Sequence, residues 1–155
     1  TRNVEGPELW RRYSREQIPP LFGQEFSTSR WNQGFVVLPK DVILLVTLDK
    51  SDLNKDHAYK DYFESPDTFH WQSQNRTTQA SAHGQLIKDH AEKGVSIHLF
   101  VREQKRQEGQ VGGFIYCGQV VFRDWQGEKP ISVVWRLRDP LSAALWGKLA
   151  STLPQ

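Results

Sequence analysis

The sequence contains no methionine and one cysteine, Cys117, among its 155 residues. A lone cysteine can form neither an internal disulfide nor a thiolate metal site, which predicts a reduced, intracellular protein. The missing methionine, including at position 1, predicts a fragment excised from a longer protein. The longest apolar run, residues 42–48 with one threonine, has the length of a strand, and no signal peptide is present. We therefore expect a soluble, cytoplasmic chain without membrane contact.

Neither sign of charge dominates, since 20 lysine and arginine residues oppose 18 acidic ones for a net charge of +2. This net charge does not mark a nucleic-acid binder, because counterion release depends on local positive charge. A solvated face is the commoner reason for basic runs, and phosphate contact is the alternative. The basic residues form two clusters, Arg11-Arg12-x-x-Arg15 and Arg102-x-x-Lys105-Arg106.

The common catalytic motifs are also missing. There is no Gly-x-Ser-x-Gly elbow, P-loop, Gly-x-Gly-x-x-Gly or His-Glu-x-x-His. The nearest histidine pair, His83 and His90, has i, i+7 spacing, which does not suit a shared metal ion. Two carboxylate pairs stand at helical spacing, Asp52 with Asp56 and Asp61 with Glu64. They could hold Mg²⁺, but no strand-borne Asp…Glu-x-Lys pattern accompanies them, so we expect no catalytic site, metal or cofactor.

Several segments have the pattern of strands. Two β-branched runs, residues 34–38 and 42–48, are separated by Pro39-Lys40-Asp41, which predicts a pair of core strands. Residues 95–101 alternate between apolar and other side chains, so His98 is predicted to be a strand histidine and not a ligand. Residues 114–122 and 131–137 flank a Gln126-Gly127 turn and predict another pair, in which Trp135 and Arg136 are structural.

Short helices are predicted between these strands. Ser14 begins a capping-box pattern, and Pro19-Pro20 is expected to end that helix. Tyr59, Tyr62 and Phe63 form an aromatic stripe at helical spacing, and residues 77–92 are helix-compatible. Asp139-Pro140 is expected to begin a last helix. Strands and helices do not alternate regularly. The chain is therefore predicted to be α+β, with a curved, mainly antiparallel sheet or small open β-barrel and three or four short helices. One domain is expected over residues 8–150, with residues 1–7 and 151–155 as linker or tail.

The most informative stretch of the sequence is Phe69-His70-Trp71-Gln72-Ser73-Gln74-Asn75-Arg76. Aromatic faces stack on flat rings, and amide and guanidinium groups contact ring edges and phosphates, so a nucleobase is one predicted partner. The alternative is a strand that buries Phe69 and Trp71 and turns His70 and Gln72 to solvent. The sequence leaves both interpretations open.

An ordered series of motifs resembles the domain at the C-terminus of bacterial DEAD/DEAH-box helicases. The match covers residues 13–145. The motifs are Tyr13-Ser14-Arg15-Glu16-Gln17-Ile18, Leu45-Val46-Thr47-Leu48-Asp49-Lys50, Tyr59-Lys60-Asp61-Tyr62 with Ser65-Pro66, residues 69–74, Leu99-Phe100-Val101-Arg102-Glu103, and Trp135-Arg136-Leu137 with Pro140-Leu141.

Some of those helicases also carry a phospholipase-D-type nuclease and act as modification-dependent restriction enzymes. The resemblance implies an SRA/PUA-like specificity domain that binds double-stranded DNA and recognises a modified cytosine, 5-methylcytosine or 5-hydroxymethylcytosine, with base flipping as one mode. It also implies that helicase and nuclease activities reside elsewhere in the same polypeptide. Two alternatives remain: a module that docks on the helicase core without touching DNA, and a stand-alone nuclease that needs a metal ion.

The resemblance and the residue chemistry together give two sets of candidate site residues. The residues expected to contact the base are Tyr59, Tyr62, Phe69, His70, Trp71, Gln72, Ser73, Gln74 and Asn75. Those expected to contact phosphates are Arg76, Arg102, Lys105, Arg106, Arg11 and Arg15. The polar loop over residues 103–113 is expected to fill the gap that an extruded base leaves in the duplex.

Overall fold

The computed structural model of the chain describes residues 6–49, 61–73, 77–104, 106–107, 110–111 and 113–150. These residues form ten strands, four α-helices and a 3₁₀ turn over Arg15–Gln17. The strands are β1 Arg12–Tyr13, β2 Phe35–Val37, β3 Asp41–Asp49, β4 Tyr62–Ser65, β5 Thr68–Gln72, β6 Ser96–Gln104, β7 Arg106–Gln107, β8 Gln110–Val111, β9 Phe114–Gln126 and β10 Ser132–Leu137. The helices are α1 Ile18–Leu21, α2 Thr28–Trp31, α3 Ala82–Asp89 and α4 Ala143–Ala150.

Eight of the described strands form one sheet in the order β2-β3-β6-β9-β10-β5-β4, with β1 paired to the first residues of β9. Its described pairings are antiparallel except the parallel pair β3 and β6. The sheet curls until Phe35 of β2 stacks on Trp71 of β5, with ring centroids 5.8 Å apart. The prediction of an α+β chain with a curved, open, mainly antiparallel sheet is confirmed, and the arrangement is consistent with an SRA-like fold.

Side chains alternate between the two faces of this sheet, as strand geometry requires. The inner face holds the larger apolar cluster, which includes Leu44, Leu99, Phe69 and Trp135 and is closed by Ile87 of α3. The outer face of β3, β6 and the start of β9 is covered by a second cluster from the N-terminal segment. In the described part of the chain, neither apolar cluster extends over the outer face of β4, β5 and β10. That face is the open surface of the sheet.

Two helix predictions need correction. Tyr62 and Phe63 lie in β4, not in a helix, because they pair with β5 and turn to opposite faces, Phe63 being fully buried and Tyr62 half-buried. Pro19 and Pro20 do not end a helix. They lie at the first positions of α1, where backbone N–H groups lack helical acceptors and proline is tolerated.

The last helix begins later than predicted. The Ser142 hydroxyl accepts a hydrogen bond from the backbone N–H of Leu145, so Ser142, and not Asp139, caps α4.

None of the described helices is long and apolar enough to cross a membrane. The boundaries of the domain and of its linkers stay predictions.

Candidate nucleic-acid interface

Strand β5 divides the predicted recognition stretch between the two faces of the sheet. Phe69 is fully buried and lies 4.7 Å from the Phe63 ring, and Trp71 is 5 % exposed and packs on Phe35. Both rings belong to the core, so we remove them from the set of candidate base contacts. His70 and Gln72 lie on the open face and are half-buried. The strand interpretation of this stretch therefore applies to residues 69–72.

His70 and Tyr62 form a stacked ring pair on the open face. They are directly opposite each other on β5 and β4, with ring centroids 4.6 Å apart and planes inclined by 4°. The Nε2 atom of His70 lies 3.1 Å from Oε1 of Glu64, whose side chain is 60 % exposed. Each ring covers one face of the other, so the pair offers ring edges with a hydroxyl and an imidazole nitrogen. This arrangement suits hydrogen bonding to a partner.

Gln72 and Ser73 lie where β5 ends. The backbone N–H of Gln72 donates to Oδ1 of the buried Asp61 at 2.9 Å, and its side-chain Nε2 lies 3.4 Å from the Ser132 hydroxyl of β10. Ser73 is 2 % exposed, and its hydroxyl accepts from the backbone N–H of Ile131 at 2.8 Å. Ser73 therefore extends the pairing of β5 with β10, which leaves Gln72 as the surface residue.

Strand β10 supplies residues to the open face that the sequence prediction did not include. Arg136 is exposed and lies opposite Thr68, and Ser132 is half-buried opposite Gln72. Arg136 was predicted to be structural together with Trp135, but only Trp135 is buried in the core. Val133, Trp135 and Leu137 alternate toward the core, and this alternation in the sequence could have indicated that Arg136 points outward.

The predicted phosphate-binding arginines differ in how exposed they are. Arg102 is 5 % exposed, donates from Nε to the Thr47 hydroxyl at 2.8 Å, and stacks over Phe114 at 4.4 Å. Burial, followed by the nearby charge of Arg15, lowers the pKa of Arg102 to about 10. Arg15 donates to the backbone carbonyl of Trp31 at 2.6 Å, and burial lowers its pKa. Arg102 is therefore buried against β3 and β9 and is not available to phosphates in this conformation. Arg15 is half-buried, and its guanidinium contacts the N-terminal segment.

Arg11 keeps its predicted access to a partner. Its side chain is 62 % exposed, forms a surface ion pair with Glu8 at 3.5 Å, and lies over the Tyr13 ring at 5.7 Å. The remaining predictions fall on residues about which the structure gives no side-chain description. These are Tyr59, Gln74, Asn75, Arg76, Lys105 and Arg106, together with the carboxylate pair Asp52 and Asp56.

Within the described residues, no group of three or more histidine, cysteine, aspartate or glutamate side chains is arranged to hold a metal ion. The two members of the histidine pair have separate partners. His83 lies 5.0 Å from the Phe35 ring, and His90 contacts the carbonyl of Val95 at 2.9 Å and accepts from the N–H of Phe122 at 3.1 Å. Asp61 and Glu64 have separate partners in Gln72 and His70.

Comparison with known proteins gives one family and several distant structures, two of which are described below. The family model described as "Domain of unknown function (DUF3427)" matches residues 8–149. No curated protein matches the sequence. The DNA recognition domain of the cytosine modification-dependent restriction endonuclease LpnPI is 12% identical with a TM-score of 0.46, covering 68% of this chain and 60% of that one. The MspJI restriction endonuclease in complex with a 27-mer oligonucleotide is 10% identical with a TM-score of 0.42, covering 68% and 31%. This chain thus spans less than two thirds of either.

Proposed function

The chain belongs to the family described as Domain of unknown function (DUF3427), and we propose that it is a DNA-binding specificity domain that carries no catalytic groups of its own. The observation that supports this proposal best is the open face of β4, β5 and β10. Its polar residues form what we call the outer strip: Tyr62, His70, Gln72, Ser132 and Arg136.

The outer strip has the chemistry of a nucleic-acid contact. The phenol, imidazole, amide and hydroxyl groups can donate to and accept from base edges, and the exposed guanidinium of Arg136 suits a phosphate. A protein-docking surface would need aromatic or apolar anchors that fill a partner's pocket. Tyr62 is already stacked on His70, and the core takes Phe69 and Trp71. The described part of the strip therefore favours DNA over the helicase core as its partner.

The finer parts of the proposal come from the helicase-domain resemblance. The partner is double-stranded DNA carrying 5-methylcytosine or 5-hydroxymethylcytosine, and the helicase and nuclease activities reside elsewhere in the parent polypeptide. Tyr62, His70 and Gln72 contact the modified base pair, and Arg136 and Arg11 contact phosphates. Base flipping, and contacts from Tyr59, Gln74, Asn75 and Arg76, stay predictions.

Binding of the chain to otherwise identical duplexes carrying cytosine, 5-methylcytosine or 5-hydroxymethylcytosine tests this proposal. His70→Ala and Gln72→Ala should each reduce the preference for one modified duplex by about ten-fold to a hundred-fold, since one edge contact carries roughly 1 to 3 kcal/mol of discrimination. Gln72→Ala keeps the backbone bond to Asp61, so the fold should persist. Gln33→Ala is the matched control, because Gln33 is an exposed glutamine on the segment before β2, which forms the opposite edge of the sheet.

Two outcomes would contradict the proposal. One is a parent chain whose DNA affinity is absent or independent of salt, because phosphate contacts make affinity fall steeply with salt. The other is full retention of affinity and preference by both variants while thermal melts show that they fold. The second outcome would show that residues outside the outer strip recognise the modified base.

A further inference from the structure

We propose that the turn between β9 and β10, residues 127–131, is a second arm of the DNA interface, and that Lys129 binds a DNA phosphate. This inference rests on the proposed function of the outer strip. It adds a binding residue that lies in neither basic cluster of the sequence.

The turn adjoins the outer strip through the pairing of the sheet. Gln126, the last residue of β9, lies opposite Ser132 of β10, and Ser132 lies opposite Gln72 of β5. The turn therefore begins and ends beside the paired residues Gln126, Ser132 and Gln72. A duplex that contacts Gln72 therefore passes next to the turn.

Hydrogen bonds tie the turn to the chain that continues from β5. The backbone N–H of Ser73 donates to the carbonyl of Ile131 at 2.9 Å, and the N–H of Lys129 donates to the carbonyl of Thr77 at 3.0 Å. The side-chain Nε2 of Gln79 donates to the carbonyl of Gly127 at 3.1 Å. The turn is thus fixed from both sides, which gives its side chains a defined position relative to the strip.

Lys129 has an unfavourable backbone conformation for a side-chain-bearing residue. Its φ is 53°, in the left-handed region that favours glycine, and Gly127 in the same turn has φ 77°. Such strain persists where the surrounding structure enforces it, and it concentrates at ligand-binding positions. The hydrogen bond from the Lys129 N–H to the Thr77 carbonyl holds the backbone of Lys129 in this conformation. A lysine at this position keeps a cation where glycine would fit with less strain.

The Lys129 side chain is exposed, and among the described residues no carboxylate lies within ion-pair distance of its ammonium group. The neighbouring Glu128 is also exposed, and its carboxylate is not within that distance. An exposed ammonium group beside a hydrogen-bonding strip suits the DNA backbone, since phosphate contacts position a protein while base contacts specify the sequence.

Lys129→Gln in the full chain tests this inference. The variant should bind modified and unmodified duplexes about three-fold to ten-fold more weakly, with an unchanged ratio between them and a salt slope shallower by roughly one unit. Lys129→Arg should restore both values, and Lys129→Gly should lose affinity like Lys129→Gln although glycine relieves the backbone strain. Lys40→Gln, at an exposed lysine in the turn between β2 and β3, is the control and should match the parent.

The outcomes separate this inference from the proposed function. If Lys129→Gln keeps the affinity and salt slope of the parent while His70→Ala and Gln72→Ala lose discrimination, the turn is not part of the interface and the outer strip still is. If Lys129→Gln loses the preference for modified DNA with an unchanged slope, Lys129 contacts a base and the phosphate assignment is wrong. A parent chain that does not bind DNA contradicts both proposals.

Discussion

At the scale of single residues, His98 shows how a buried titratable group is held in one protonation state. Its Nε2 atom lies 2.8 Å from Oδ1 of Asp41, and its Nδ1 atom lies 2.9 Å from the Tyr116 hydroxyl. Burial and the nearby charge of Asp41 raise the pKa of Tyr116, so the phenol keeps its proton and can donate it. A neutral imidazole that donates from Nε2 and accepts at Nδ1 satisfies both partners. Burial lowers the pKa of His98 more than Asp41 raises it.

Stability should therefore decrease in mild acid. A histidine in the unfolded chain binds a proton near about pH 6.5, whereas His98 in the folded chain does so only at lower pH. The unfolded state binds more protons between these two values, so the free energy of unfolding should fall as the pH drops below about 6.5. Urea denaturation at several pH values between about 7.5 and 5 should show a larger decrease for the parent than for His98→Gln. Equal decreases would show that His98 titrates normally in the folded chain.

Trp71 gives the second prediction at this scale, because the sequence alone allowed it to be either a base contact or a core residue. Its ring packs on Phe35 and lies 6.2 Å from the Trp135 ring. Trp71→Ala should lower the free energy of unfolding by about 3 to 5 kcal/mol, as for other aromatic-to-alanine changes in cores. Denaturant melts measure this loss. A variant of parental stability with reduced preference for modified DNA would return Trp71 to the binding site.

At the scale of elements, Glu103 joins three parts of the fold that are distant in sequence. Its carboxylate accepts from the Arg12 guanidinium of β1 at 2.9 Å and 3.2 Å, and it lies 3.2 Å from the Lys148 ammonium of α4. Burial acts to raise the pKa of Glu103, but the hydrogen bond and charge of Arg12, a backbone hydrogen bond and Lys148 together lower it to about 2. The ionised carboxylate thus connects β6 to β1 and α4.

Glu103→Gln should loosen these connections. Hydrogen bonds to charged groups contribute about 1.5 to 3 kcal/mol, and we expect a loss of that order at neutral pH. The contribution of Glu103 is present above the unfolded pKa of about 4.5 and disappears as the pH falls from there toward about 2. Melts of parent and variant should therefore converge in acid. Glu92→Gln, at an exposed glutamate after α3, should leave stability unchanged.

The elements also show what the sequence could predict. Sequence pattern identified β2 and β3 from apolar β-branched runs, β6 from alternation, and β9 and β10 from apolar runs around a turn. It failed for β4, since Tyr62 and Phe63 fit both a helical stripe and a short strand, and only pairing with β5 decides between them. The parallel pairing of β3 with β6 was not predicted, because the register between strands separated by some fifty residues depends on tertiary contacts.

At the scale of the whole molecule, the candidate interface is assembled from strands that are far apart in sequence. Tyr62 of β4, His70 of β5 and Ser132 of β10 share one open face because β10 and β5 pair within the curled sheet. The stretch around His70 was found from local composition. Ser132, Arg136 and Lys129 were not, because their surroundings along the chain do not reveal which face or turn they occupy beside His70.

The whole chain should bind duplex DNA without cutting it. Its net charge of +2 gives little long-range attraction, so affinity should come from a few local contacts at the outer strip, at its turn and at Arg11. If the three cations Arg11, Arg136 and Lys129 each release one counterion, the logarithm of affinity should fall against the logarithm of salt with a slope of about −3. Band shifts over a salt series measure this slope, and incubation with Mg²⁺ or Mn²⁺ on a labelled duplex measures cleavage. In the present fold Asp61 accepts a backbone hydrogen bond from Gln72 at the end of β5. Metal-dependent cleavage that Asp61→Asn abolishes in a folded variant would contradict the prediction and favour a nuclease.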